Sequence, residues 1–104
     1  MKRGEVWWAQ LPQPAGTRPV LLLSRDEAYP VRRSVTVAPV TTRKRNLTAE
    51  VSLALEEGMP KECVVNLDSI ATVEKSTLTQ RICQLGHEKM ELVCQAIKFS
   101  LDLP

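Results

Sequence analysis

The chain has 104 residues, 43% of them hydrophobic and 25% charged, enough for one globular domain spanning 1–104 with one modest core and no second domain. No window approaches the ~18 consecutive apolar residues of a membrane span, and Met1-Lys2-Arg3 runs straight into Gly4 and Glu5, which excludes a signal-peptide core and makes the cytoplasm the expected location. The net charge of +2 is polarised, with +6 over residues 1–45 and −4 over 46–104, so the first half offers either a footprint for a phosphate backbone or ordinary solvated loops.

In chain order, Glu5 to Ala9 predicts a strand with Val6 and Trp8 on one face, expected inward, and Trp7 on the other. Leu11-Pro-Gln-Pro-Ala-Gly16 is a loop, because two prolines and a glycine break a ladder. Arg18 stands at the mouth of the next strand, whose apolar run Pro19–Leu23 suits burial on both faces; Val35, Val37 and Val40 mark another. Arg43-Lys-Arg-Asn-Leu-Thr is a charged loop. After it Val51, Leu53 and Leu55 alternate with small residues as a half-exposed strand, and Glu56-Glu-Gly-Met-Pro60 turns. Cys63 to Val73 and Thr79 to Leu85 add strand material. Several short strands in so short a chain predict an α+β, mainly β fold built as a small barrel.

Gly86 precedes the one helix, His87 to Leu101. Met90, Val93, Cys94, Ile97 and Leu101 form one apolar stripe, and Leu92, Ala96, Phe99 and Leu103 a second on nearly the opposite side. One stripe covers the barrel; the other is expected to meet a partner, the alternative being its own loops. Cys63, Cys83 and Cys94 are odd in number, lack a Cys-x-x-Cys and read as reduced, buried thiols. With His87 the only histidine, no metal and no cofactor is expected.

Arg3-Gly-Glu-Val-Trp-Trp-Ala, Thr17-Arg-Pro-Val-Leu-Leu-Leu-Ser24, Val35-Thr-Val-Ala-Pro-Val-Thr-Thr42, Cys63-Val-Val-Asn-Leu-Asp68 and Leu78-Thr-Gln-Arg-Ile-Cys-Gln-Leu85 occur in this order over nearly the whole chain. The ordered set resembles the MazF/PemK family of toxin-antitoxin ribonucleases. The resemblance implies an SH3-like barrel of the CcdB/PemK-like toxin fold with a C-terminal helix. It also implies a homodimeric, metal-independent endoribonuclease that cuts single-stranded RNA, and a MazE-like antitoxin whose acidic tail occupies the RNA groove.

By match to the family's strand entry and strand end, the resemblance gives Arg18 and Thr41 as catalytic residues. The chemistry suits them: if the RNA's own 2′-hydroxyl is the nucleophile, the protein must align it, move two protons and stabilise extra charge. A planar guanidinium grips two phosphate oxygens and a hydroxyl donates to a third position. Arginine, with a pKa above about 12, is an awkward general base. Without the resemblance, Arg18 would read as a surface cation and Thr41 as a β-favouring strand end.

Arg25, Thr42, Arg43, Lys44, Arg45 and Lys75 are candidate RNA contacts, the cations supplying affinity rather than sequence choice. Asp68 belongs to an Arg-x-Asp arrangement in some relatives, but Asn66 stands in the Arg position here, so Asp68 is either a substrate contact or a turn cap. His87 lies outside every matching motif and reads as a surface or capping residue, while Trp7 stays open between core edge, dimer contact and RNA. Two other readings use the same fold: a CcdB-type toxin that binds DNA gyrase, and a degenerate toxin that binds RNA or antitoxin without cutting.

Overall fold

Seven strands and one long helix follow in the order β1 (Glu5–Gln10), β2 (Thr17–Leu22), β3 (Ser34–Thr41), β4 (Glu50–Leu53), β5 (Cys63–Asn66), β6 (Ala71–Glu74), β7 (Leu78–Gln84) and α1 (His87–Ser100). Single 3-10 turns sit at Asp26–Ala28, Leu55–Glu57, Leu67–Ser69 and Lys75–Thr77. The computed structural model describes residues 1–104. All pairings are antiparallel, in the order β4-β5-β3-β2-β1-β7, with β6 added to β3. The chain from β5 to β6 runs the length of β3, from Val64 opposite Thr41 to Glu74 opposite Ser34. The sheet curls into an SH3-like half-barrel, mainly β, with the helix at the C-terminal end.

The curl explains the sequence pattern. Long β3 and β2 are apolar on both faces because each face carries a core. Val6, Leu21, Ala38, Val40 and Val65 face the larger cluster, capped by Val93 and Ala96 of α1. Ala9, Val20, Leu22, Val35 and Val37 face a smaller one closed by Tyr29 and Leu78. Helix burial is a narrow stripe, as expected of a cylinder on a sheet. Met90 and Ile97 flank Val93 and Ala96 there.

Two cores correct the tryptophan assignment. Val6 is fully buried, but Trp8 on its face is only half-buried and belongs to neither cluster, whereas Trp7 packs against the smaller core. Trp7 Nε1 also donates to Glu5 Oε1 at 3.0 Å. With apolar interior on both sides of the sheet, alternation alone does not decide which tryptophan points inward.

Three smaller departures share the theme of chain ends. Leu55 leaves β4 for a 3-10 turn and is 70% exposed. That turn ends on Gly58 at φ +99, a left-handed conformation, where a Cβ would come within 2.8 Å of the Cys83 Cβ. Cys63 and Cys83 are buried, and burial pushes both thiols up; Cys94 instead is exposed, one helical position off the buried stripe, with Arg3 Nη2 at 3.5 Å from its Sγ. Of the second helical stripe, Ala96 turns into the core while Leu92, Phe99 and Leu103 stay exposed, joined by Leu101 just past the helix end.

Candidate active site

Arg18 and Thr41 come from neighbouring strands. The β2–β3 register pairs Val20 with Pro39, Leu21 with Ala38 and Leu22 with Val37. The ladder ends at Val20–Pro39, and the same register continued two positions would set Arg18 opposite Thr41. Both continue the face of Val20, Leu22, Val35 and Val37, so they emerge together where the smaller core ends. The elements hold them for local reasons: the Pro-Gly loop delivers Arg18 to the first turn of β2, and β3 stops after Thr41, where its ladder with Val64 of β5 runs out.

Each side chain is steadied by one backbone contact and left otherwise free. Arg18 is exposed, and its Nε donates to the Ala15 carbonyl at 2.8 Å, which leaves both terminal nitrogens of the fork without a partner. Thr41 is half-buried, and its Oγ1 accepts the Arg43 N–H at 3.1 Å, so the hydroxyl hydrogen can be donated outward. The result is a cation and a hydroxyl at the same end of the β2–β3 pair, each with an unspent donor. That arrangement binds a tetrahedral anion.

The loop after β3 keeps the site positive. Thr42, Arg43, Lys44 and Arg45 are all exposed. The chain's only ion pairs are Arg81 with Glu5 at 3.0 Å and His87 with Glu91 at 3.3 Å, so no carboxylate neutralises these cations. Glu50 shapes the loop through its backbone, its Oε1 accepting the Arg45 N–H at 3.1 Å and the Leu47 N–H at 3.2 Å. Neither Glu50 nor the Ala15 carbonyl was signalled by the sequence. An acid closely following a run of cations is the only cue for the first, and a backbone acceptor leaves no trace in composition.

The remaining candidates scatter. Arg25 and Lys75 lie at the other end of β2 and β3. Arg25 precedes the 3-10 turn Asp26–Ala28 beyond Leu22, and the Lys75 N–H donates to the Arg33 carbonyl at 2.8 Å beside the start of β3. An eight-residue strand at about 3.4 Å per residue separates the ends by about 24 Å. The structure therefore does not group Arg25 and Lys75 with Arg18 and Thr41, because matching charge said nothing of strand direction. Lys75 Nζ is moreover spent on the Tyr29 carbonyl.

Asp68 sits in the 3-10 turn between β5 and β6, alongside the middle of β3. Its N–H donates to Asn66 Oδ1 at 2.9 Å, while Asn66 Nδ2 lies 3.3 Å from Ser69 Oγ. Asn66 is thus the cap of that turn, which accounts for an asparagine at this position. The Asp68 carboxylate is exposed and carries no partner. His87 is exposed at the first turn of α1, paired only with Glu91. No group of three or more His, Cys, Asp or Glu side chains converges as metal ligands.

Comparison with known proteins places this geometry in context. The family model described as "PemK-like, MazF-like toxin of type II toxin-antitoxin system" matches residues 2–101. A relative from Mycobacterium tuberculosis (strain ATCC 25618 / H37Rv), named probable endoribonuclease MazF5, is 42% identical over 103 residues, covering 96% of this chain and 92% of its own. Among solved structures, the Mycobacterium tuberculosis toxin MazF-mt6 superposes with a TM-score of 0.89 at 33% identity, over 96% of this chain and 98% of that one. An endoribonuclease in complex with its cognate antitoxin from a mycobacterial species shares the fold, with a TM-score of 0.88 at 23% identity over 100% of this chain and 97% of that one.

Proposed function

Because the chain belongs to the PemK-like, MazF-like toxins of type II toxin-antitoxin systems, we propose that Arg18 and Thr41 form the centre of its RNA-cleaving site. The protein is an endoribonuclease toxin. It cuts single-stranded RNA, and a cognate antitoxin restrains it. The observation that supports the site assignment is that Arg18 and Thr41 end the same face at the same end of the β2–β3 pair, each with unspent donors, beside an unpaired cationic loop.

In this reading the phosphate enters between the two side chains, with the flanking backbone on Arg43, Lys44 and Arg45. The 2′-oxygen attacks phosphorus, the 2′-O–P bond forms and the P–O5′ bond breaks. One proton leaves the 2′-hydroxyl and one reaches the departing 5′-oxygen, giving a 2′,3′-cyclic phosphate and a 5′-hydroxyl. The terminal nitrogens of Arg18 meet two non-bridging oxygens and neutralise the charge that accumulates as phosphorus becomes five-coordinate. Thr41 donates its hydroxyl hydrogen to the same group and fixes its orientation while Arg43 N–H holds the oxygen from behind. A metal ion has no role in these steps.

The wider assignment follows from the same family. Residues 1–104 act as one toxin domain in the cytoplasm; no helix is long and apolar enough to cross a membrane. The uncovered Leu92, Phe99 and Leu103 supply apolar surface for a homodimer. A gyrase-binding role is not favoured, since it requires neither Arg18 nor Thr41.

Incubation of the purified protein with a long mixed-sequence RNA in EDTA, beside Arg18→Ala, tests the proposal. Discrete cuts with 5′-hydroxyl ends that disappear in the variant are expected. RNA left intact by the parent, or cut equally by both proteins, overturns it.

A further inference from the structure

Three sulfur atoms gather in the larger core. Cys83 of β7 has its Sγ 3.6 Å from Met59 Sδ, and Cys63 at the start of β5 lies close enough to Cys83 for a charge on one sulfur to act on the other. All three residues are buried in the same cluster. Strands β5 and β7 stand near opposite ends of the strand order, so it is the curl of the sheet that brings their cysteines together.

One short loop wraps Cys83. Gly58, in its left-handed conformation, passes so near that a Cβ there would come within 2.8 Å of the Cys83 Cβ. Met59 follows at once, and Cys63 comes four residues after it. The loop thus brings a thioether and a thiol, in a Met-x-x-x-Cys spacing, to a second thiol on β7. A count of histidines, cysteines and carboxylates misses this group, because one of its three donors is a thioether.

We propose that Cys63, Cys83 and Met59 form a binding site for a soft, thiophilic metal ion of the Cu(I) type. Thiolate and thioether donors select soft ions. A metal about 2.3 Å from each of two sulfurs holds them about 4 Å apart, near the present Sγ–Sδ spacing. Zinc is the less suited occupant. It calls for four donors in a tetrahedron, and Glu57, the one carboxylate that acts on both thiols, gives its Oε1 to the Ala54 N–H at 2.6 Å. On binding, two S–H bonds break, two sulfur–metal bonds form and two protons leave to water. A Cu(I) ion with two thiolates and a neutral thioether then carries one negative charge, which the Lys61 ammonium near Cys63 offsets. The entry path is the cavity of about 1070 Å³ between β4, β5 and the start of α1, whose lining includes Cys63. The ion takes no part in RNA cleavage. It braces the strand end beside the candidate site, since Cys63 directly precedes Val64, the partner of Thr41 in the ladder.

The test is anaerobic titration of the reduced protein with Cu(I) supplied from a competing coloured chelator, for the parent and for Cys63→Ser, Cys83→Ser, Met59→Leu and Cys94→Ser, with circular dichroism to show that each is folded. The parent and Cys94→Ser, which lacks only the exposed thiol, are expected to take up one ion and to gain the ultraviolet absorption of sulfur-to-copper charge transfer. Loss of either core thiol should weaken binding by roughly 100-fold or more, and Met59→Leu, a swap of similar volume, by roughly ten-fold. No uptake by the parent overturns the inference and leaves the three sulfurs as packing alone. Uptake abolished in Cys94→Ser overturns it too, as does Cys63→Ser or Met59→Leu binding as tightly as the parent, or zinc displacing Cu(I) at equal concentration. Should Cys83→Ser fail to fold, Cys63→Ser and Met59→Leu still decide.

Discussion

The two ends of the β2–β3 pair are both basic and differ in what their donors are doing. At one end, Arg18 and Thr41 each give a single contact to their own loop and keep the rest free. At the other, the Lys75 ammonium holds the Tyr29 carbonyl and its backbone extends the ladder to Arg33, while the Arg25 carbonyl accepts the Ala28 N–H at 2.9 Å. Cations are therefore a poor marker of a site here. The Arg25 side chain is exposed and unpaired as well, so what separates the binding end from the other is the oriented hydroxyl that accompanies its cation.

The largest effect that would break this contrast is at Arg18. Its replacement by Ala removes the group facing the developing charge, so kcat should fall by about 10²- to 10³-fold. Thr41→Val keeps the strand shape and deletes one donor, and a smaller loss of roughly ten-fold is expected. Single-turnover cleavage of one defined oligonucleotide measures both. An Arg25→Ala variant as damaged as Arg18→Ala would show that the far end belongs to the site after all.

A second comparison sharpens the electrostatic half. Replacing Arg43, Lys44 and Arg45 together by Ala should lower the slope of log affinity against log salt by about two, at ~0.7 per lost single-strand phosphate contact. Lys75→Met should leave that slope unchanged and instead lower stability by about 1 kcal/mol, because the Tyr29 carbonyl loses its donor. Titrations of a labelled RNA at several salt concentrations, with thermal unfolding of each variant, read the two effects separately.

Much of this was legible from residue order. The apolar run after Arg18 announced a strand covered on both faces, and Leu21 and Leu22 indeed enter different cores. The helix also lies where periodicity placed it, whereas the strand material expected from Cys63 to Val73 is broken by the 3-10 turn Leu67–Ser69 into β5 and β6. Single-residue orientation was less legible, because it depends on partners distant in sequence. Trp7 against Trp8 is decided by the second core, and Cys94 by which helical stripe meets the sheet. The separation of Arg25 and Lys75 from Arg18 depends on strand direction and register, which a list of cations does not contain. Asn66 was informative in hindsight: its side chain caps the turn holding Asp68, a local role recognisable from an Asn two residues before an exposed Asp.

The smallest expected effect concerns a carboxylate at neither end. Glu5 is 8% exposed in β1. Burial alone would raise its pKa, but hydrogen bonds from Trp7 Nε1 and the Lys2 N–H, with the positive N-terminus and Arg81, outweigh it and hold the group below the ordinary carboxylate value. A carboxyl depressed in the folded state stabilises above its unfolded pKa, and that contribution is lost as pH falls through the folded one. Acidification below about pH 4.5 should therefore reduce stability through Glu5, and Glu5→Gln should flatten this part of the curve while lowering stability at neutral pH. Thermal unfolding between neutral and acid pH, followed by tryptophan fluorescence, reports directly because Trp7 is bonded to the titrating group. If parent and Glu5→Gln lose stability in parallel on acidification, the acid sensitivity belongs to other carboxylates and the Glu5–Trp7–Arg81 network is only packing.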